Sequence, residues 1–180
     1  MLFDVGNEET IMTANLPIRK MIGVLAKRPE AVARIQGSNA YPSISGCVYF
    51  YPIAGSVLVL VSVKGLPADS ASGFFGFHIH SGSNCSGTKT DPFADTSAHY
   101  NPDGKTHPRH AGDLPPLLSN HGYAFQAFYT DRFSVCEILN KAVIIHSGVD
   151  DFTSQPAGNA GEKIACGEIK AFSSHEFAFR

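Results

Sequence analysis

Histidine is the residue type that points to chemistry in this chain, with 8 among 180 residues. His78 and His80 lie in the run Gly-Phe-His-Ile-His that begins at Gly76. Because successive side chains of a β-strand point to opposite faces, the two imidazoles would share one face, while Phe77 and Ile79 would point to the other. Two imidazoles at this spacing can chelate one metal ion, although a single pair of this kind is more often structural.

A second concentration of ligand-type side chains follows at His99, His107, His110 and Asp113. Three imidazole nitrogens and one carboxylate oxygen suit tetrahedral zinc. Four residues that favour turns would let the segment wrap around an ion: Pro102, Gly104, Pro108 and Gly112. A solvated loop that is merely rich in histidine is the alternative, and Asp113 could orient a histidine instead of binding a metal.

His146 follows the apolar run Ala-Val-Ile-Ile and would end a strand. Considered alone, His146 is best interpreted as a histidine at the end of a barrel strand whose ring nitrogens are hydrogen-bonded. Beside His78 and His80, it becomes a candidate third or fourth imidazole of the first site.

The elements that must position these residues are short runs of β type, separated by Gly, Pro, Asn and Asp. The runs are 31–36, 46–51, 56–64, 73–80, 123–129, 142–146 and 163–172. Their density, without any long helical periodicity, predicts an all-β antiparallel sandwich or barrel. No strand is predicted in 81–120, and a loop beyond about 12–15 residues in a compact domain is usually functional or disordered.

Composition excludes several classes of protein. The formal net charge of -2 argues against a basic nucleic-acid-binding surface. Hydrophobic residues make up 43% of the chain, which argues against global disorder. No apolar run approaches the roughly 18–20 residues of a membrane-spanning helix. We therefore expect neither nucleic acid nor membrane as a partner.

The chain divides into an N-terminal extension (1–30), a single domain (31–172) and a C-terminal tail (173–180). Met21, Ile22, Val24 and Leu25 could form a short amphipathic helix in an otherwise poorly ordered or surface-docked extension. The start is acidic and lacks the basic and apolar regions of a secretory signal, so we expect a cytoplasmic protein. The four cysteines form neither a dense disulfide framework nor the paired spacing of a zinc ribbon.

Five ordered blocks together resemble the copper/zinc superoxide dismutase family, as a bacterial-type member with a short electrostatic loop. The blocks are 76–80, 99–102, 110–115, His146 with Asp150 and Asp151, and 158–161 followed by 164–167. The resemblance covers about 31–172. It implies an eight-stranded antiparallel Greek-key sandwich or barrel, immunoglobulin-like, with long metal-binding loops.

The resemblance also implies a role for each matching residue. His78, His80, His99 and His146 would bind copper, and His99, His107, His110 and Asp113 would bind zinc, so that His99 bridges the two ions. Asp150 would link a copper histidine to a zinc histidine. Cys85 and Cys166 would form a disulfide, and Cys47 and Cys136 would be buried as small hydrophobic residues.

The implied activity is the disproportionation of superoxide into oxygen and hydrogen peroxide by Cu(II)/Cu(I) cycling. The His99 bridge would break and take up a proton on copper reduction, then return the proton to the forming peroxide. The alternative is a non-enzymatic copper- or zinc-binding protein of the same fold. A plain β-sandwich interaction module with incidental histidines is a third interpretation, which the ordered ligand set opposes. Family members pair through different faces or remain monomeric, so the resemblance implies either a monomer or a homodimer.

Two departures from the family pattern bear on activity. Lys163 stands where the family has an arginine that guides the anion, and it keeps the charge without the planar fork of two donors. We therefore predict a retained but slower activity. The second departure is the electrostatic loop, 151–158, which is short. Three remaining residues are expected to lie outside the metal sites: His121 in a turn, His175 in the tail, and Arg109 as a solvated charge.

Overall fold

The computed structural model describes residues 18–68, 70 and 72–173. Two short α-helices, α1 (Ile18–Leu25) and α2 (Val135–Ile138), and a 3-10 helix at Ala94–Thr96 accompany the strands of the described residues. Nine strands lie within these residues: β1 (Ala31–Gly37), β2 (Ser45–Ile53), β3 (Ser56–Lys64), β4 (Phe74–Phe75), β5 (Phe77–His80), β6 (Leu117–Leu118), β7 (Tyr123–Thr130), β8 (Ala142–His146) and β9 (Lys163–Ala171).

Seven strands form one antiparallel sheet in the order β5-β8-β9-β1-β2-β3-β7, and β4 pairs with β6 in a second, small sheet. The chain passes from β3 at one side of the large sheet to β5 at the far edge, returns to β7 and crosses again to β8. These long crossings have the character of Greek-key connections. The large sheet curls into a half-barrel, as the right-handed twist of strands favours.

The inner face of the curled sheet carries one main hydrophobic core. Alternate residues of the paired strands β2 and β3 supply much of it, because their side chains alternate between core and outer surface. From β5, Phe77 and Ile79 enter this core fully buried. Each large side chain of this kind stabilises the fold by about 1.5–3 kcal/mol. Core packing thereby sets which face of β5 remains for His78 and His80.

The prediction of an all-β antiparallel fold is confirmed, with differences in detail. The run 73–80 is divided between β4 and β5 at Gly76, whose N–H donates to the Gly148 carbonyl and whose carbonyl accepts from the His146 N–H. The stretch 81–120 was predicted to lack strands but contains β6, because Leu117 is fully buried and pairs with Phe75. A helix is present where 21–25 predicted one, as part of α1. No helix among the described residues is both long and apolar enough to span a membrane.

The cysteines divide into one disulfide and two free thiols. Cys85 and Cys166 are bonded, which confirms the predicted pair and ties the loop after β5 to β9. The prediction that Cys47 and Cys136 are buried is wrong. Cys47 is half-buried because it points to the outer face of β2, next to the inward Val48. Cys136 is exposed because α2 buries its other side.

We predict that removing the disulfide with Cys85→Ser and Cys166→Ser lowers the free energy of unfolding by about 2–5 kcal/mol. The reason is that the bond closes a loop with a sequence separation of 81 residues, which restricts the unfolded chain. Urea denaturation of the metal-free protein measures the change. The matched control is Cys136→Ser, an exposed free thiol, which should move stability by less than about 0.5 kcal/mol. Equal stability of the double variant and the control would contradict the prediction.

Candidate metal centre

The edge strand β5 carries the first two histidines, and the long loop that follows returns to lie against it. Isolated antiparallel bridges pair His78 with Asp113 and His80 with His99. The Ile79 N–H donates to the Gly112 carbonyl at 2.9 Å, and the Tyr100 N–H donates to the Ile79 carbonyl at 2.8 Å. The unpaired edge of the sheet thus binds the loop that brings the second group of ligands to the first.

Gly112 is required for this close approach. A Cβ atom at this position would overlap the carbonyl oxygen of Ile79. Any larger residue would therefore push the loop away from β5 and separate the bridged residues.

Four buried imidazoles form the first group: His78, His80, His99 and His146. One ligand atom from each lies within 4.8 Å of those of the others. His146 reaches the group at a β-bulge at the end of β8, where the register with β9 shifts. Such bulges re-aim side chains.

Backbone and carboxylate oxygens hold the outer nitrogens of this group. The Nδ1–H of His80 donates to the Ser97 carbonyl at 2.8 Å, and the Nδ1–H of His146 donates to the Gly161 carbonyl at 3.2 Å. These bonds leave the Nε2 atoms of His80 and His146 facing each other at 3.4 Å. Since neutral imidazole carries one N–H, both inward nitrogens keep their lone pairs for a metal.

The second group consists of His99, His107, His110 and Asp113, again buried and within 4.8 Å of one another. Asp113 Oδ1 lies 2.8 Å from His99 Nδ1, and Oδ2 lies 3.1 Å from His107 Nδ1. The His110 N–H donates to Asp113 Oδ2 at 2.9 Å, which fixes the carboxylate. Asp113 therefore lies among the imidazoles as a ligand would, while it also contacts the ring of His99.

His99 belongs to both groups. Its Nδ1 faces Asp113, and its Nε2 is buried without a hydrogen-bond partner in the described part of the chain. Its ring centroid lies 3.9 Å from that of His78, with the two ring planes tilted by 33°. The two nitrogens of one ring thus serve the two groups separately.

Asp150 connects the two groups through hydrogen bonds to one histidine of each. Its Oδ2 accepts from His78 Nε2 at 2.7 Å, and its Oδ1 accepts from His107 Nε2 at 2.9 Å. Gly158 lies against this carboxylate with a φ of +66°, and a Cβ there would overlap Asp150 Oδ1. Asp150 therefore lies between one histidine of each group.

Burial lowers the pKa of three histidines of the first group. Desolvation lowers the pKa of His80 to about 2 and that of His146 to about 3, and it also lowers the pKa of His78. Burial alone would raise the pKa of Asp150, but hydrogen bonds from His78, the Phe152 backbone and His107 lower it to about 2. Neutral imidazoles beside ionised carboxylates are the protonation states that metal ligands need.

The donor atoms fit copper and zinc. Four buried imidazole nitrogens have no hydrogen-bond partner among the described residues: His78 Nδ1, His99 Nε2, His107 Nδ1 and His110 Nδ1. Asp113 oxygens lie 3.1 and 3.3 Å from the latter two without hydrogen-bond alignment. Tetrahedral ligands of one zinc ion are separated by about 3.3 Å, given metal–ligand bonds near 2 Å. Imidazole also suits copper.

A cleft of about 740 Å³ opens beside the first group, with His80, His99, His146 and Lys163 in its wall. The Nζ of Lys163 donates to Asp91 Oδ2 at 2.9 Å and to the Phe93 carbonyl at 3.0 Å. The Lys163 side chain is 16% exposed. The ammonium group of Lys163 is therefore at the cleft, where the Asp91 carboxylate partly neutralises it.

Sequence reasoning missed three residues that act on the centre. Asp91 pairs with Lys163. Gln155 bonds to the backbone of His107. Nη1 of Arg132 donates to the carbonyls of Pro108, His110 and Asp113, at 3.1, 3.3 and 3.1 Å. None of the three lies in a ligand-like motif, so no local pattern indicated them.

Two of the three residues expected to lie outside the metal sites are described by the structure, and both lie outside the ligand groups. His121 is in a turn with a φ of 52°, and Arg109 is exposed. Neither belongs to either ligand group. His175 lies outside the described residues.

A curled antiparallel β-sheet that holds two adjoining groups of imidazole ligands, with one shared histidine, defines a class of dinuclear metalloprotein. The family profile described as copper/zinc superoxide dismutase (SODC) matches residues 44–169. The chain belongs to the copper/zinc superoxide dismutase family.

Curated relatives agree over most of the chain. A copper–zinc superoxide dismutase of Aquifex aeolicus strain VF5, number 2 of that organism, is 36% identical over 177 residues, covering 85% of this chain and 100% of the relative. Copper–zinc superoxide dismutase 3 of Arabidopsis thaliana is 34% identical to this chain, covering 81% of this chain and 92% of the relative. The enzyme of Schizosaccharomyces pombe is also 34% identical, covering 78% and 96%.

We predict that the metal-free protein loses stability as the pH falls below about 6.5, the ordinary pKa of histidine. His80 and His146 have folded-state pKa values of about 2 and 3, so below pH 6.5 only the unfolded chain binds their protons. The loss should be roughly 1 kcal/mol per histidine between pH 7.5 and 5.5. Below about pH 4, Asp150 adds to it, because its pKa is also lowered on folding.

Urea denaturation at the two pH values measures this loss. His80→Asn should make the pH dependence shallower. His121→Asn, which changes a histidine outside both groups and keeps a residue that tolerates positive φ, should leave it unchanged. A free energy of unfolding that stays constant or rises towards pH 5.5 would contradict the predicted loss of stability.

Proposed function

We propose that this protein is a superoxide dismutase that holds copper at His78, His80, His99 and His146 and zinc at His99, His107, His110 and Asp113. The observation that carries the proposal is the position of His99, whose two ring nitrogens face different ligand groups. The substrate is superoxide, and the products are oxygen and hydrogen peroxide. Family membership supports the same assignment.

Copper supplies a one-electron redox couple when it is bound, and zinc supplies a fixed positive charge without redox chemistry. The protein holds the rings of the copper group in place through the Ser97 and Gly161 carbonyls and Asp150. Such support of the outer nitrogen selects the tautomer and raises the basicity of the inner one.

His99 can also move a proton. His99 lies in the wall of the cleft. Its Nε2 is buried without a hydrogen-bond partner in the part of the chain that the structure describes, while its Nδ1 lies 2.8 Å from Asp113 Oδ1. Nε2 is therefore the atom that takes up a proton and returns it to the forming peroxide. Asp113 keeps the ring oriented throughout.

Lys163 provides positive charge for an anionic substrate at the cleft. Asp91 holds the ammonium group in place and reduces its attraction for an anion, since the pair together carries no net charge. The proposed role of Lys163 is thus to attract the superoxide anion, but less strongly than a lysine without a carboxylate partner would. We also infer a monomer or homodimer without a nucleic-acid or membrane partner. The net charge of -2 supports the absence of a nucleic-acid partner.

The proposal is tested by metal analysis and superoxide turnover on one purified sample. We expect close to one copper and one zinc per chain, with rapid turnover that copper chelation abolishes. His99→Ala should change the copper spectrum and reduce turnover. Zinc alone, with no turnover after copper loading, would instead support the non-enzymatic alternative.

We predict that Asp91→Asn raises the rate constant for superoxide by up to about tenfold at low ionic strength, because it frees the charge of Lys163. The rate should also fall more steeply with added salt than in the unchanged protein. Pulse radiolysis over a range of salt concentrations measures both effects. The control is Asp95→Asn, which removes the same charge from the same loop, where the carboxylate accepts from Ser86 instead. Equal rates for the two variants would contradict the prediction.

We also predict that Lys163→Arg increases the rate, since a planar fork can bind Asp91 and still present a donor to the anion. The same kinetic measurement applies. An unchanged or lower rate would mean that the planar donor is not what limits attraction at this position.

A further inference from the structure

The side chain of Gln155 binds both backbone groups of one residue. Its Oε1 accepts from the His107 N–H at 3.0 Å, and its Nε2 donates to the His107 carbonyl at 2.7 Å. The two residues are 48 positions apart. The amide thus pairs with His107 much as a neighbouring strand would.

His107 needs such support because regular structure does not hold it. It lies in the loop between β5 and β6, with exposed neighbours on its N-terminal side. Among the described residues, Gln155 makes the only hydrogen bonds to the backbone N–H and carbonyl of His107. Arg132 holds the carbonyls of Pro108, His110 and Asp113, but not that of His107.

The turn that presents Gln155 is itself well fixed. Asp151 accepts from the N–H groups of Thr153 and Ser154 at 2.9 and 2.7 Å. The Gly158 N–H donates to the Ser154 carbonyl, and the Asp151 N–H donates to the Gly158 carbonyl. Asp150, which immediately precedes this turn, holds the ring of His107. One short loop therefore holds both the backbone and the imidazole of His107.

We propose that Gln155 is a positioning residue that keeps His107 Nδ1 directed into the zinc group, an inference that rests on the proposed function of that group. His107 Nδ1 is buried without a hydrogen-bond partner in the described residues, so its direction depends on what holds the rest of the residue. Gln155 itself is exposed, and water competes for its amide. Its effect on overall stability is accordingly small, and its main effect is on the geometry of His107.

The test uses the full chain loaded with zinc and free of copper, so that it does not depend on turnover. Gln155→Ala removes both hydrogen bonds. Gln155→Glu keeps the length and the acceptor but cannot donate to the His107 carbonyl. For each, the rate of zinc loss to a chromophoric chelator and the visible spectrum of cobalt(II) bound in place of zinc are measured. Gln126→Glu is the matched control, because the hydrogen bond from the Gln126 amide, to the Pro115 carbonyl at 3.4 Å, involves none of the proposed zinc ligands.

We expect both Gln155 variants to lose zinc about tenfold faster or more, in the range seen when residues that support metal ligands are changed. Their cobalt spectra should differ from the unchanged protein, and the control should match it. Zinc loss and spectra indistinguishable from the control would overturn the proposal. An equal fall in the melting temperature of metal-free and zinc-loaded protein would overturn it as well, since it would show support of the fold alone. Failure of the unchanged chain to bind zinc would instead refute the zinc assignment in the proposed function.

Discussion

The arrangement of this molecule depends on one imidazole, that of His99, which must face two ligand groups at once. Its Nδ1 is 2.8 Å from Asp113 Oδ1, and its ring centroid is 3.9 Å from that of His78. Both contacts require the loop that carries His99 to lie directly on the edge strand β5. The backbone bonds from Ile79 to the loop, and the absence of a side chain at Gly112, provide that approach.

The electrostatics follow from the same packing. The buried imidazoles of His78, His80 and His146, whose pKa values are lowered, lie in the same centre as the ionised Asp150 carboxylate, which is costly for the metal-free fold and favourable for a bound cation. The disulfide and the hydrophobic core oppose that cost by stabilising the strands from which the ligands project. Asp150 is hydrogen-bonded to a histidine of each group, so a displacement of His78 also changes the contacts of His107.

Much of this could be predicted from sequence, since alternation along a strand places His78 and His80 on one face and family blocks mark the other ligands. What escaped prediction was the set of contacts between distant loops. Gln155, Arg132 and Asp91 act across 48, 19 to 24 and 72 positions, and ordinary polar residues at such separations carry no local signal. The exposed Cys136 was mispredicted for a related reason, because the orientation of α2 is set by the core and not by its own four residues.

The most direct test of a shared His99 is magnetic. The electron paramagnetic resonance signal of copper(II) is recorded with zinc in the second site and again with cobalt(II) in its place. If His99 joins the two ions, coupling through its ring will strongly reduce the copper signal in the cobalt form, and His99→Ala will restore it. A copper signal of equal intensity in the zinc and cobalt forms, with both sites occupied, would contradict the account.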